Sequence, residues 1–207
     1  MNSGQSTSLS GASRRKAEDS GVTWVARFPA SRSLSDLRSP FRGRVEAFVG
    51  AMRNAGATVV VNGTLRDRRR AYLMHWCWRI VNEHIDPQKV PLSDEVEIRW
   101  AHLDQSGKVA CTASMNAARD MVNAFGLSRL GVAPSLSSRH LIGCAIDMSI
   151  SWTGPLSIAD HDGKVVNIAT APWTGMNLRL QRVGEGYGVI KYKRGGRDEP
   201  HWSDTGA

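Results

Sequence analysis

Two segments of this sequence carry side chains that bind metal ions, and they lie far apart along the chain. Residues 138–150, SRHLIGCAIDMSI, contain His140 and Asp147, and residues 198–202, DEPHW, contain His201. Imidazole nitrogens and carboxylate oxygens are ligands that Zn²⁺ takes in tetrahedral protein sites. A catalytic zinc site has three protein ligands and one open position. We therefore expect His140, Asp147 and His201 to hold one zinc ion.

The residues around Asp147 predict how the first segment is positioned. With a period of two, residues 144–150 form a strand whose one face is apolar and whose other face carries Ala145, Asp147 and Ser149. Such a strand covers a core on one side and a polar cleft on the other. Gly143 permits a sharp bend before the strand. This bend is expected to bring His140 back over the face that carries Asp147.

The rest of the chain predicts the order helix, strand, helix, strand, helix, and then several strands, which indicates an α+β domain. Apolar residues at spacings of three and four, such as Phe41, Val45 and Phe48, indicate the first helix. Asp162-Gly163 marks a hairpin turn. The predicted helices are 40–54, 68–83, 114–125 and the segment MNLRLQRVG, and the predicted strands are 57–62, 96–100, 156–158, 165–168 and 187–192, the last followed by a turn at Gly195-Gly196.

Length and composition limit the domain organisation. The chain has 207 residues, which suits one domain with a sizeable core. Residues 1–21 are rich in Ser and Gly, so we expect a disordered tail, followed by one folded domain over residues 22–207. The tail lacks the apolar stretch of a secretory signal, and no apolar run reaches the roughly 20 residues that span a bilayer.

Charge and cysteine content exclude some classes and leave others open. The 27 Lys and Arg against 19 Asp and Glu give a net charge of +8, which favours polyanionic partners such as nucleic acid or a carboxylate-rich cell wall. No zinc-finger, helix-turn-helix or single-strand-binding motif is present, so nucleic acid is not an expected partner. Cys77, Cys111 and Cys144 form no CxxC pair, which argues against a disulfide framework or a thiolate zinc cluster.

The motif residues carry a family resemblance. The spacing S-x-H-x-x-G-x-A-x-D is similar to the signature of the zinc D-Ala-D-Ala carboxypeptidase and dipeptidase family, and so is the closing acid-x-x-His. That family includes vancomycin-resistance dipeptidases and phage endolysins that cut L-alanyl-D-glutamate bonds. The resemblance covers about residues 40–203 and is strongest to phage-encoded members. The matching residues are Ser138, His140, Gly143, Ala145, Asp147, Asp198 and His201.

The resemblance implies a fold and roles for individual residues. It implies a central antiparallel sheet with helices packed on it, of the hedgehog/D,D-peptidase type, and zinc bound by the two histidines and the aspartate. Asp198 is implied as the catalytic base and acid, with neighbouring Glu199 as the alternative. Arg66 and Ser138 are implied at the substrate cleft. Trp202 is expected to form a wall of that cleft.

Several functions remain open at this point. An aspartate at the position of Asp198 resembles the endolysin-type endopeptidases, which favours hydrolysis of L-Ala-D-Glu bonds in peptidoglycan stem peptides. Such a protein would be a monomer that acts at the bacterial cell wall, in the periplasm, released by lysis machinery or carried by a virion. The alternatives are a D,D-carboxypeptidase on the same scaffold and a non-catalytic zinc or cell-wall-binding module.

Overall fold

The computed structural model describes residues 17–193 and 198–207. Most of the expected disordered tail, residues 1–21, lies outside the described residues, as does the expected turn at Gly195-Gly196. Residues 17–21, at the end of that tail, lie within the described part of the chain. Glu18–Asp19 forms a short strand that pairs in parallel with Ile98–Arg99, because backbone hydrogen bonds to a neighbouring segment replace a local apolar core.

The described chain combines helices with an antiparallel central sheet, which confirms the α+β class. The helices are α1 (Phe41–Asn54), α2 (Arg68–Asn82), α3 (Cys111–Ala124) and α4 (Leu178–Gly186). The strands are β1 (Glu18–Asp19), β2 (Thr58–Gly63), β3 (Ile98–Arg99), β4 (Ala145–Ser151), β5 (Leu156–Ala159), β6 (Val165–Ile168), β7 (Ile190–Lys191) and β8 (His201–Ser203). Within the described ranges, no helix has the length and apolar character needed to cross a membrane.

The central sheet has four strands in the order β2–β4–β8–β7, and every neighbouring pair is antiparallel. β4 therefore lies inside the sheet, with β2 on one side and β8 on the other. β7 is shorter than the strand expected over residues 187–192. Tyr187 still closes α4, and Gly188 turns the chain with a φ of 72°.

The first hydrophobic core lies between the central sheet and helices α1 and α4. α1 turns Val45, Phe48 and Met52 inward at the spacing that the sequence predicted, and all three are fully buried. Met148 of β4 and Trp202 of β8 meet them, and the rings of Phe48 and Trp202 are 5.6 Å apart. Burying a side chain of this size contributes about 1.5–3 kcal/mol, so this core orients both β4 and β8.

The second core lies around helices α2 and α3. Leu73, Cys77 and Ile80 form the predicted apolar stripe of α2, and Met121 of α3 packs in the same cluster. Asp67 begins α2, because its Oδ1 accepts a hydrogen bond of 2.8 Å from the Arg69 N–H. The short segment 64–67 therefore joins the central sheet directly to the helices of the second core.

Candidate metal centre

The structure brings His140, Asp147 and His201 together on one face of the central sheet. Asp147 of β4 and His201 of β8 are direct partners in the antiparallel ladder, so their side chains share a face. His140 comes from the short 3₁₀ helix Arg139–Ile142, which precedes β4. His140 Nε2 lies 3.2 Å from Asp147 Oδ1 and 3.1 Å from His201 Nδ1, and His201 Nδ1 lies 3.2 Å from Asp147 Oδ1.

The bend that delivers His140 is fixed at both of its ends. Ser138 Oγ accepts a hydrogen bond of 3.3 Å from the His140 N–H and so begins the 3₁₀ helix. Gly143 ends it in the left-handed region, with a φ of 68°. A Cβ at this position would lie 3.0 Å from both Arg38 N and Asp36 O. The predicted role of Gly143 as the bend that places His140 over Asp147 is thus confirmed.

Each imidazole uses its second nitrogen to bind a backbone carbonyl. His140 Nδ1 lies 2.6 Å from the carbonyl oxygen of Thr64, and His201 Nε2 lies 3.2 Å from that of Ala207. A carbonyl oxygen only accepts hydrogen bonds, so both of these nitrogens carry the proton. In the neutral state of each ring, the inward nitrogen therefore presents a lone pair.

These contacts leave three electron-rich atoms facing one another. Two lone pairs and a carboxylate oxygen within 3.2 Å repel unless a positive charge lies among them. Tetrahedral zinc bonds of about 2.0–2.1 Å place neighbouring ligand atoms about 3.3–3.4 Å apart, close to the distances found here. The side chains and their spacing therefore fit a metal ion, and this buried group can hold one.

The carboxyl group of Asp147 is closely enclosed. Burial by itself raises its pKa, whereas hydrogen bonds from His140 and His201 and positive charge on their rings lower the pKa well below its usual range. On the other side of Asp147, Gly63 is its partner in β2. A Cβ at Gly63 would lie 3.2 Å from Asp147 Oδ2, so the missing side chain gives the carboxylate its space.

Asp198 and Arg66 lie beside this group. The Asp198 side chain is half exposed, and its Oδ2 lies 4.0 Å from His201 Nδ1. Burial lowers the pKa of the Arg66 guanidinium, whereas the nearby charges of Asp147 and Asp198 raise it. Among residues 17–193 and 198–207, no hydrogen bond or ion pair engages this guanidinium.

Arg66 also lines an open groove of about 800 Å³. The groove is bordered by the segment around Ser31 on one side and by the start of α2 on the other. This half-buried guanidinium lies near the charges of Asp147 and Asp198 but makes no hydrogen bond to the described residues. It is suited to binding an anionic group, because its fork of N–H donors matches two carboxylate oxygens.

Glu199 and Trp202 are placed differently from Asp198. Glu199 lines a separate small cavity with Asn62 and Ser149, and in the described chain no contact joins its carboxylate to the three ligands. Trp202 was expected to form a cleft wall, and this was wrong, because it is fully buried in the first core. Successive residues of β8 point to opposite faces, so a strand that turns His201 to the cleft must turn Trp202 to the core.

Two residues that hold the ligands were missed in the sequence. Thr64 contributes its carbonyl to His140, and its backbone N–H donates a 2.9 Å hydrogen bond to the Ser31 carbonyl oxygen. Gly63 provides space for Asp147. A glycine at the end of the β-branched run TVVVNG was the only local sign of such a close approach. Thr64 contacts His140 through its main-chain carbonyl, so the identity of its side chain did not indicate this contact.

The site is thus a buried group of two imidazoles and one carboxylate that can hold a metal ion, with a half-exposed acid and a guanidinium beside it. Comparison with protein-family models and with curated proteins finds no match for this chain. The functional assignment therefore depends on this chemistry and on the spacing of the motif residues.

Proposed function

We propose that this chain is a zinc-dependent peptidase that hydrolyses peptide bonds in peptidoglycan stem peptides, with the L-Ala-D-Glu bond favoured. The observation that carries the proposal is the convergence of His140 Nε2, Asp147 Oδ1 and His201 Nδ1, with the Asp198 carboxylate 4.0 Å from one of them. A metal centre and an adjacent acid are the parts that metal-assisted peptide hydrolysis requires.

Each of the proposed site residues has a defined task. His140, Asp147 and His201 would hold zinc, which when bound acidifies a water molecule and polarises the scissile carbonyl. Asp198 takes the proton of the attacking water and passes it to the leaving amine. Arg66 binds a carboxylate of the stem peptide through its guanidinium fork.

The substrate class comes from the motif resemblance and from the cation at the groove. Stem peptides are rich in carboxylates, which suits the guanidinium of Arg66. Ser138 lies two residues before His140 and is proposed to border the same cleft. By the same resemblance we propose that the antiparallel sheet with its helices is of the hedgehog/D,D-peptidase type. The proposed place of action is the bacterial cell wall, after release by lysis machinery or from a virion.

Zymography on purified sacculi, with and without a chelator, tests this function together with metal analysis of the protein. Clearing that is lost with the chelator and restored by zinc is expected. Mass spectrometry of defined muropeptides then distinguishes cleavage of L-Ala-D-Glu from removal of a terminal D-Ala. Intact sacculi with zinc still bound would instead favour a non-catalytic wall-binding module.

The two candidate acids can be separated by substitution. Asp198→Ala is expected to lower turnover by about 10²- to 10⁴-fold, because the proton transfer is lost, while zinc remains bound. Glu199→Ala is the matched control and is expected to leave both turnover and zinc content near those of the unmodified chain. Turnover that survives in Asp198→Ala and disappears in Glu199→Ala would transfer the role to Glu199.

A further inference from the structure

A buried lysine holds the turn that carries Asp198 and His201. Lys191 of β7 is only 6% exposed, and its Nζ donates hydrogen bonds to three backbone carbonyls. The distances are 2.9 Å to Asp198 O, 2.6 Å to Glu199 O and 3.1 Å to His201 O. An ammonium group has three protons, so all of its donors are used on this one turn.

The Lys191 ammonium is hydrogen-bonded by the main chain, and the nearby charges of Asp198, Glu199 and Asp147 also stabilise it. Burying an ammonium group costs several kcal/mol unless hydrogen bonds compensate it. In the described chain no carboxylate oxygen lies within 4.0 Å of Nζ, and the Trp202 ring, 5.5 Å away, adds a cation–π contact. Because three carbonyls must point at one nitrogen, the lysine constrains the backbone path of the turn over residues 198–201.

This constraint acts on both functional ends of the turn. The peptide units that Lys191 binds include those of Asp198, the proposed base, and His201, one of the three ligands. We propose that Lys191 is a positioning residue, which holds the Asp198 carboxylate and the His201 imidazole in place at the metal centre. Its effect on catalysis rests on the proposed peptidase function, whereas its effect on metal binding and on the turn does not.

Lys191→Met tests the proposal, because methionine is apolar and donates no hydrogen bond. Lys193→Met is the matched control, since Lys193 is an exposed lysine two positions along that pairs only with Glu185 among the described residues. Two measurements on the full chain are needed: zinc affinity, by competition with a chelating indicator, and backbone amide hydrogen exchange of residues 198–203.

Lys191→Met is expected to lower zinc affinity by about 10- to 100-fold, the range found for groups that support metal ligands, and to speed exchange in the turn. Lys193→Met is expected to stay within about twofold in both measurements. On a soluble muropeptide, Lys191→Met should lower kcat with little change in KM. Unchanged zinc affinity and unchanged exchange in Lys191→Met would overturn the proposal.

A second variant covers the case in which Lys191→Met does not fold. Lys191→Arg keeps the charge, but its planar fork does not match three carbonyls that converge on one point. Lys191→Arg is expected to lower zinc affinity and protection from hydrogen exchange, but less than Lys191→Met does. Unchanged zinc affinity and unchanged exchange in a folded Lys191→Arg variant would overturn the proposal. If no variant or parent chain cuts peptidoglycan, the peptidase proposal fails, while the exchange and zinc results still decide the role of Lys191.

Discussion

Two groups of described residues place three histidine and aspartate side chains within reach of a single ion, and they differ in how they are built. His140, Asp147 and His201 come from two distant segments, and both of their imidazoles are buried. Residues 160–162, Asp-His-Asp, are consecutive in the turn between β5 and β6, and the side chains of His161 and Asp162 are largely exposed.

The second difference is how the ligand atoms are held. In the first group the far nitrogens of both rings are bound to carbonyls, which leaves the inward atoms available. In the turn, Asp160 Oδ1 already accepts the N–H groups of Asp162 and Lys164 and so serves the hairpin. Proximity of histidine and aspartate side chains is therefore not sufficient to form a metal site. A metal site also needs neighbouring groups that fix each ligand atom before the ion arrives.

Removing one histidine from each group gives the largest contrast. His140→Ala is expected to lower zinc affinity on the order of 100-fold or more, because two ligands remain of three. His161→Ala is expected to keep about one bound zinc per chain, as in the unmodified protein. Metal content after dialysis measures both. Zinc that is lost in His161→Ala and kept in His140→Ala would reverse the assignment of the two groups.

A glycine with a positive φ lies next to each group in the chain, and substitution of these two glycines sharpens the comparison. A Cβ added at Gly143 (φ 68°) would lie 3.0 Å from Arg38 N and from Asp36 O. A Cβ added at Gly163 (φ 81°) would have no atom within 4 Å among the described residues. Gly163→Ala is expected to cost about 1 kcal/mol of unfolding free energy from backbone strain alone. Gly143→Ala adds a backbone clash and is expected to cost about 3 kcal/mol.

Denaturant unfolding in the presence of a chelator measures these losses without a contribution from bound metal. Equal losses in the two variants would show that the chain around residue 143 relaxes freely, and the bend before β4 would then not be rigid.

The smallest expected effect concerns the space beside Asp147. Gly63→Ala places a Cβ 3.2 Å from Asp147 Oδ2, so the carboxylate must shift by a few tenths of an ångström. Zinc affinity is expected to fall a few-fold, which corresponds to about 1 kcal/mol or less. Gly43→Ala in α1, with nothing within 4 Å of its Cβ, is the control. Identical zinc affinity in both variants would show that Asp147 does not depend on this space.

Much of the site's local structure was predictable. The alternation in residues 144–150 correctly placed Asp147 opposite the apolar face that Met148 belongs to, and Gly143 was correctly assigned to the bend. The spacing of Val45, Phe48 and Met52 correctly gave the buried face of α1. Trp202 was placed wrongly because its neighbour His201 was assigned to the cleft without applying the same alternation to β8.

Local patterns thus determined which residues face inward along α1 and β4, because that depends on neighbours a few positions away. The selection of the inward nitrogen on each imidazole came from elsewhere in the fold, through the carbonyls of Thr64 and Ala207. In the turn around Asp198, Lys191 Nζ likewise donates its hydrogen bonds to carbonyl oxygens. Every residue has the same carbonyl group, so contacts of this kind leave no trace in the order of side chains.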